Sequence, residues 1–116
     1  MKKLTCVVHK ILDDYGCSAK YNGTYYLRDS ICMFLEGQCE IEGLSAVYAT
    51  LADKYNVGIW SIERSIRTLI SKWWDSGKCG GFFVKRPTNG DLIYTLTAKI
   101  RAKLVDVCCA GLQKSS

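Results

Sequence analysis

Residues 44–74 constrain this chain most. They read LSAVYATLADKYN, then VGI, then WSIERSIRTLISKWW. Leu44, Val47, Tyr48, Leu51, Ala52 and Tyr55 recur at i, i+3, i+4, i+7, i+8 and i+11, one face of a helix. Ile59, Ile62, Ile66, Leu69, Ile70 and Trp73 draw a second such stripe. Asn56-Val57-Gly58 between them is too short to let two helices separate, and a short Asn/Gly turn between helices has the shape of a helix-turn-helix. At about 100° per residue, the second helix turns Ser61, Arg64, Thr68 and Ser71 directly away from its apolar stripe. Trp60 and Arg67 fall on one shoulder of that outward face. Arginine among small hydroxyl residues suits phosphates and base edges in a DNA major groove.

The rest of the chain must fit around that unit. A length of 116 residues supplies one core and not two. The expectation is a single helix-turn-helix domain over residues 1–110, with GLQKSS at 111–116 as a frayed tail. Proline occurs once, at Pro87, which favours helix over loop-rich architecture. The net charge of +5 fits a polyanionic partner without requiring one. No apolar run reaches the length of a membrane span, and Met1-Lys2-Lys3 leads into an amphipathic segment, not an apolar one. The expected setting is cytoplasmic, with no membrane partner.

Seven cysteines (Cys6, Cys17, Cys32, Cys39, Cys79, Cys108 and Cys109) form an odd, irregularly spaced set without a CxxC pair. Nothing signals secretion, so a disulfide framework is not expected. Cys6 and His9 share a helix face and Cys108-Cys109 lies near the other end, but the spacing matches no common zinc finger. Most are expected to be reduced, small core residues. An enzyme is the least favoured class. There is one histidine, no recognisable acid/base pair of carboxylates, and Gly77–Gly81 lacks the spacing and flanking strand of a phosphate-cradling loop. No cofactor is expected.

In order, Leu4, Val7, Val8, Ile11, Leu12 and Tyr15 define a first helix, stopped by Gly16. His9 within it reads as a structural residue rather than a catalyst. After the polar loop CSAKYNG, Thr24 is positioned to cap a second helix, with Leu27, Ile31, Phe34 and Leu35 on one face. Tyr25 and Tyr26, near Arg28, suit base stacking but fit packing against a neighbouring helix better. Glu36, Glu40 and Glu42 make an acidic connector that would face away from a duplex. Beyond Trp74 two readings compete. Thr88 or Asn89 caps a last helix striped by Leu92, Ile93, Leu96, Ile100, Leu104 and Val107, with Asp91 in its first turn and Lys99, Arg101 and Lys103 near its negative end. Alternatively, Phe82–Arg86 and Leu92–Thr97 are strands of a β-hairpin wing turning at Pro87–Gly90.

Three stretches now align with one family. VVHKILDDYGCSAKYNGTYYLRDSI, LADKYNVGIWSIERSIRTLISKWW and KRPTNGDLIYTLTAKIRAKL together resemble the C-terminal effector domain of the sporulation initiation response regulator of endospore-forming Firmicutes. The His-x-x-(Ile/Leu) start, read here as His9-x-x-Leu12, the Gly-x-x-Tyr-Leu-Arg run, Asn56, the Ile-Glu-Arg-x-Ile-Arg core and Pro-Thr-Asn carry the match, in order, across almost the whole chain. The resemblance implies an all-α fold of about five to six helices around a central helix-turn-helix, and so favours helix over wing for residues 82–97. It also implies binding to a short double-stranded DNA sequence, by tandem copies of the domain that would pair as a homodimer there.

The family's recognition helix reads the major groove through positions aligning with Ser61, Glu63, Arg64 and Arg67. Glu63, Arg64 and Arg67 keep the family's residue type, Ser61 stands where the family carries arginine, and Trp60 replaces a small polar residue. The loss of one arginine–guanine contact, worth about 1–3 kcal/mol of discrimination, predicts a changed or relaxed target. Lys85, Arg86 and Thr88 match the stretch that approaches the phosphate backbone. The family's phosphoacceptor receiver domain has no counterpart here, so phosphorylation control is not expected. The segment before Pro-Thr-Asn, through which the family touches RNA polymerase, is shorter, so polymerase contact is not carried over.

The leading expectation is a sequence-specific DNA-binding transcriptional regulator. Trp60, Ser61, Glu63, Arg64, Arg67 and Thr68 would face bases, and Ser71, Lys72, Lys85, Arg86 and Thr88 would hold phosphates. The alternative is a protein-interaction module that pairs with a full-length relative and modulates its DNA binding. Trp60 and Trp73-Trp74 would serve it, because tryptophan is enriched at interface hot spots.

Overall fold

The computed structural model describes residues 2–37, 43–77 and 83–115, with side chains described between residues 4 and 105 of those stretches. Among the described residues five helices follow one another: α1 (Lys2–Asp14), α2 (Asn22–Leu35), α3 (Leu44–Tyr55), α4 (Ile59–Asp75) and α5 (Asn89–Ser115). The fold is all-α. Leu92–Thr97, one arm of the alternative wing, is continuous helix inside α5, and no strand occurs among the described residues. Part of the other arm, including Phe82, lies outside them, as do the acidic connector at 38–42 and most of the glycine-rich segment at 77–81.

The hub is α2. It packs on α1, α3, α4 and α5, most extensively on α4. Its burial is therefore not confined to the expected face of Leu27, Ile31, Phe34 and Leu35. Tyr26, Asp29, Ser30, Cys32 and Met33 are buried too. A helix packed by four neighbours leaves little solvent face for a periodic pattern to reveal, here only Asn22 and the half-buried Tyr25, Arg28 and Leu35. It also begins two residues earlier than expected. Thr24 is not its cap but lies inside the first turn, where its hydroxyl donates to the Ser18 carbonyl at 2.5 Å.

One glycine explains how α2 comes so close to α4. A Cβ at Gly23 would lie 2.3 Å from the Ser65 carbonyl oxygen and 2.9 Å from the Leu69 Cβ. Only hydrogen fits there, so α2 rests directly on the backbone of α4.

The other expected stripes are largely buried. Val8, Ile11 and Leu12 of α1, Val47, Tyr48 and Leu51 of α3, Ile62, Ile66, Leu69, Ile70 and Trp73 of α4, and Leu92, Ile93, Leu96 and Ile100 of α5 form one core. Val7 and Ile59 depart from expectation and are exposed. Each lies at the margin of its stripe, where no neighbouring helix covers it. Trp73 is fixed twice over. Its indole N–H donates to the Tyr15 carbonyl at 2.8 Å, and its ring meets Phe83 edge-on at 6.2 Å. Cys17 and Cys32 are free and buried as expected, whereas Cys6 is free and exposed. No group of three or more His, Cys, Asp or Glu side chains suited to a metal occurs among the described residues.

Two of the helix ends carry the geometry their residues suggested. Gly16 has φ +93°, its N–H meets the Asp13 carbonyl, and the Cys17 N–H reaches back to Leu12 at 2.9 Å. This Schellman closure ends α1 where expected. Asn56 ends α3 in the same way. It has φ 55° and ψ 48°, and the Val57 N–H bonds the Ala52 carbonyl at 2.9 Å. Asparagine tolerates this left-handed conformation better than other side chains, which is why the turn between α3 and α4 can be so tight.

A buried charge cluster locks α3 onto α2. The Asp29 carboxylate accepts from Arg28 Nε at 2.9 Å, Lys54 Nζ at 2.9 Å and the Tyr55 hydroxyl at 2.5 Å. Burial alone would raise the Asp29 pKa, but the hydrogen bonds from Tyr55, Lys54 and Arg28 outweigh it and hold the carboxyl below its ordinary value. Burial, and then the hydrogen bond and charge of Asp29, push Tyr55 up to about 12. The tyrosine pair resolves as packing. Tyr26 is buried against Tyr55 with ring centroids 5.0 Å apart, and Tyr25 stacks on His9 at 5.8 Å while the Arg28 guanidinium lies 5.2 Å from its ring.

Candidate nucleic-acid interface

With its apolar stripe held by α2, α3 and α5, α4 is left one face to show. Arg64, Arg67, Thr68 and Lys72 are exposed along it, and Trp60 is 65% exposed at its first turn. Ser61 and Ser71, expected to point straight outward, are half-buried, as is Glu63. The Arg64 guanidinium lies 5.0 Å from the centre of the Trp60 ring, a cation–π contact at i, i+4. Among the described residues both ion pairs fall on Asp29, so neither Arg64 nor Arg67 has a carboxylate partner. Glu63 and Arg67 stand at i, i+4 but form no ion pair.

Two flanks border this face. On one side lies the segment leading into α5. Phe83 is anchored on Trp73 and Pro87 is buried, so the intervening Val84, Lys85 and Arg86 are held out in solvent between two fixed points. The Arg86 guanidinium donates to the Ser71 hydroxyl, which itself donates to the Arg67 carbonyl at 3.2 Å. Arg86 is thereby drawn alongside Arg67. Thr88 is the cap of α5. Its hydroxyl accepts from the Asp91 N–H at 3.1 Å, and the Asp91 carboxylate accepts from the Thr88 N–H at 3.3 Å. The Asn89 side-chain amide then donates to the Glu63 carbonyl at 3.0 Å, tying the start of α5 to α4. A groove of about 470 Å³ runs here between Arg67, Arg86 and Thr88.

The other flank was not anticipated. The loop from α1 to α2 brings Lys20, Tyr21 and Asn22 against Arg64 and Thr68 around a cleft of about 300 Å³. Lys20 also shares a depression with Lys72. The sequence read this loop as a polar turn. The signal that it lies on α4 is Gly23, whose missing side chain permits the approach, but a glycine after asparagine reads first as a turn residue.

Lys99, Arg101 and Lys103 do not belong to this face. They fall mid-way along α5 rather than at its end, because α5 continues to Ser115. Arg101 instead donates to the Phe34 carbonyl at 3.1 Å, at the end of α2, and Lys103 lies over the Tyr15 ring.

Among the described residues, three helices around a tight helix-turn-helix, with exposed arginines on the outer side of its second helix and basic segments on both flanks, make this a helix-turn-helix domain of the all-α kind. Its family follows from comparison with known proteins. The family described as sporulation initiation factor Spo0A C terminal matches residues 8–100, and the chain belongs to it. The match takes in α1 through the buried part of α5, hence both helices of the central unit and both flanks.

Proposed function

We propose that this domain binds double-stranded DNA in a sequence-specific manner and regulates transcription. The observation that carries the proposal is the exposed pair Arg64 and Arg67 on the outer face of α4, which has no carboxylate partner among the described residues. They lie three residues apart, about 4.5 Å along the helix axis, so their guanidinium groups reach neighbouring base pairs. Arg64 and Arg67 read base edges, with Trp60, Ser61, Glu63 and Thr68 beside them. Lys72, Lys85, Arg86, Ser71 and Thr88 hold phosphates and set the register. Lys20 joins the phosphate contacts from the opposite flank. Tandem sites would seat two copies side by side.

Membership of a regulatory family supports this reading over catalysis. No helix among the described residues is long and apolar enough to cross a membrane.

The experiment is selection of bound duplexes from a random-sequence library. Enrichment of a short common sequence supports the proposal, and recovery of random duplexes in proportion to their charge contradicts it. The exposed Trp60 favours one competing reading, pairing with a full-length relative. Pull-down after complete nuclease digestion separates the two, because pairing that survives loss of all DNA supports the competitor.

A further inference from the structure

Val57, Ile59 and Trp60 are 38%, 48% and 65% exposed. A single exposed apolar side chain is ordinary. Three within four residues, at the leading end of a helix whose other large apolar residues are mostly buried, form a local apolar patch. It adjoins Arg64, whose guanidinium covers part of the Trp60 ring and has no carboxylate partner among the described residues. The patch is therefore apolar at its centre and cationic at its edge.

That combination matches one feature of a DNA groove. The N-terminal residues of the second helix in a helix-turn-helix are the ones that meet base edges. In the major groove, thymine alone among the bases presents a methyl group, and apolar side chains recognise it by contact. The acceptor edges of the neighbouring base pairs complement Arg64. We propose that Trp60, flanked by Ile59, is a specificity-determining residue that packs on thymine 5-methyl groups in the major groove. The inference rests on the DNA-binding reading above and adds to it the base that the apolar end of α4 selects.

The test exploits the fact that deoxyuridine pairs like thymidine and lacks only the methyl. Duplexes enriched from a random library by the wild-type protein are resynthesised with each thymine replaced in turn by uracil. They are titrated at low salt, where phosphate contacts keep weak binders measurable. At one or two positions the wild-type affinity falls about fourfold per methyl. The same exchanges are silent in Trp60→Ala, and in Trp60→Gln if the alanine variant binds too weakly to titrate. Trp60 is mostly exposed, so both variants are expected to keep wild-type helicity, checked by circular dichroism. Indifference of the wild type to every exchange overturns the inference, as does either variant keeping the wild-type losses. Failure to enrich any duplex is a different result, because it removes the DNA-binding reading itself and this inference with it.

Discussion

Arg64 and Lys85 are both exposed cations, yet their surroundings differ. Arg64 rises from a rigid helix and stacks on an indole, so its direction is set before any ligand arrives. Lys85 sits in an exposed segment strung between Phe83 and Pro87. A charge held that way would meet phosphate without regard to sequence. Lys85→Ala is expected to weaken all duplexes alike and to flatten the slope of log affinity against log salt by about one. Fluorescence anisotropy across a salt series checks this, and a loss confined to one sequence contradicts it. Gly23 makes a harder demand, because no side chain fits between α2 and the Ser65 carbonyl. Gly23→Ala is expected to cost about 1–3 kcal/mol of stability, measured by urea denaturation. It also shifts Lys20 away from Arg64. At this scale the sequence was informative where residue type and helical phase agreed, as for Arg64, Arg67 and Thr68. It was silent on Lys20, because nothing in a local pattern states that residue 20 will lie beside residue 64. It misplaced Thr24, since a threonine after Asn-Gly satisfies the same statistics as a cap while its hydroxyl is in fact used inside the helix.

The elements succeed or fail as presenters of α4. The left-handed Asn56 and the Thr88–Asp91 box are the two local devices that fix the helices on either side of it. Asn56→Ala is expected to destabilise by about 1–2 kcal/mol through its positive φ, whereas Asn56→Gly is tolerated. Thermal unfolding of the pair distinguishes a conformational role from a side-chain contact. Thr88→Ala removes an oxygen that satisfies the Asp91 N–H and is expected to cost about 1 kcal/mol. Both devices were visible from the sequence, because turn and cap chemistry is local. The dominance of α2 was not. Amphipathic periodicity identifies a helix with one wet face, and α2 keeps little of one. Asp29 and Ser30 look like surface residues until Lys54 and Tyr55, far along the chain, are brought to meet the carboxylate. Ile59 misled in the opposite sense. It continues the α4 stripe by phase but lies beyond the last helix that covers it.

In the whole molecule the Asp29 cluster couples α2 to α3, and so sets the base on which α4 is displayed. Its carboxyl is held below the ordinary range in the folded chain. The unfolded chain titrates at about 3.9, so the cluster's contribution is complete above that pH and is lost as pH falls through the depressed folded value. Acid unfolding followed by circular dichroism is expected to show this loss below about pH 4. Asp29→Asn is expected to be less stable at neutral pH by about 1–3 kcal/mol and to lose less on acidification. Equal acid sensitivity in both proteins contradicts that role. The central claim is narrower, that α4 reads sequence through Arg64. It is tested most directly by titrating wild type and Arg64→Ala against an enriched duplex and a scrambled duplex of equal length and composition. The expected result is a loss of about ten- to a hundredfold on the enriched duplex and little on the scrambled one, so that the variant's preference narrows to what Arg67 and Trp60 supply. A variant that weakens on the two duplexes in proportion, keeping its preference, would show that the arginine only holds charge and that sequence is read elsewhere.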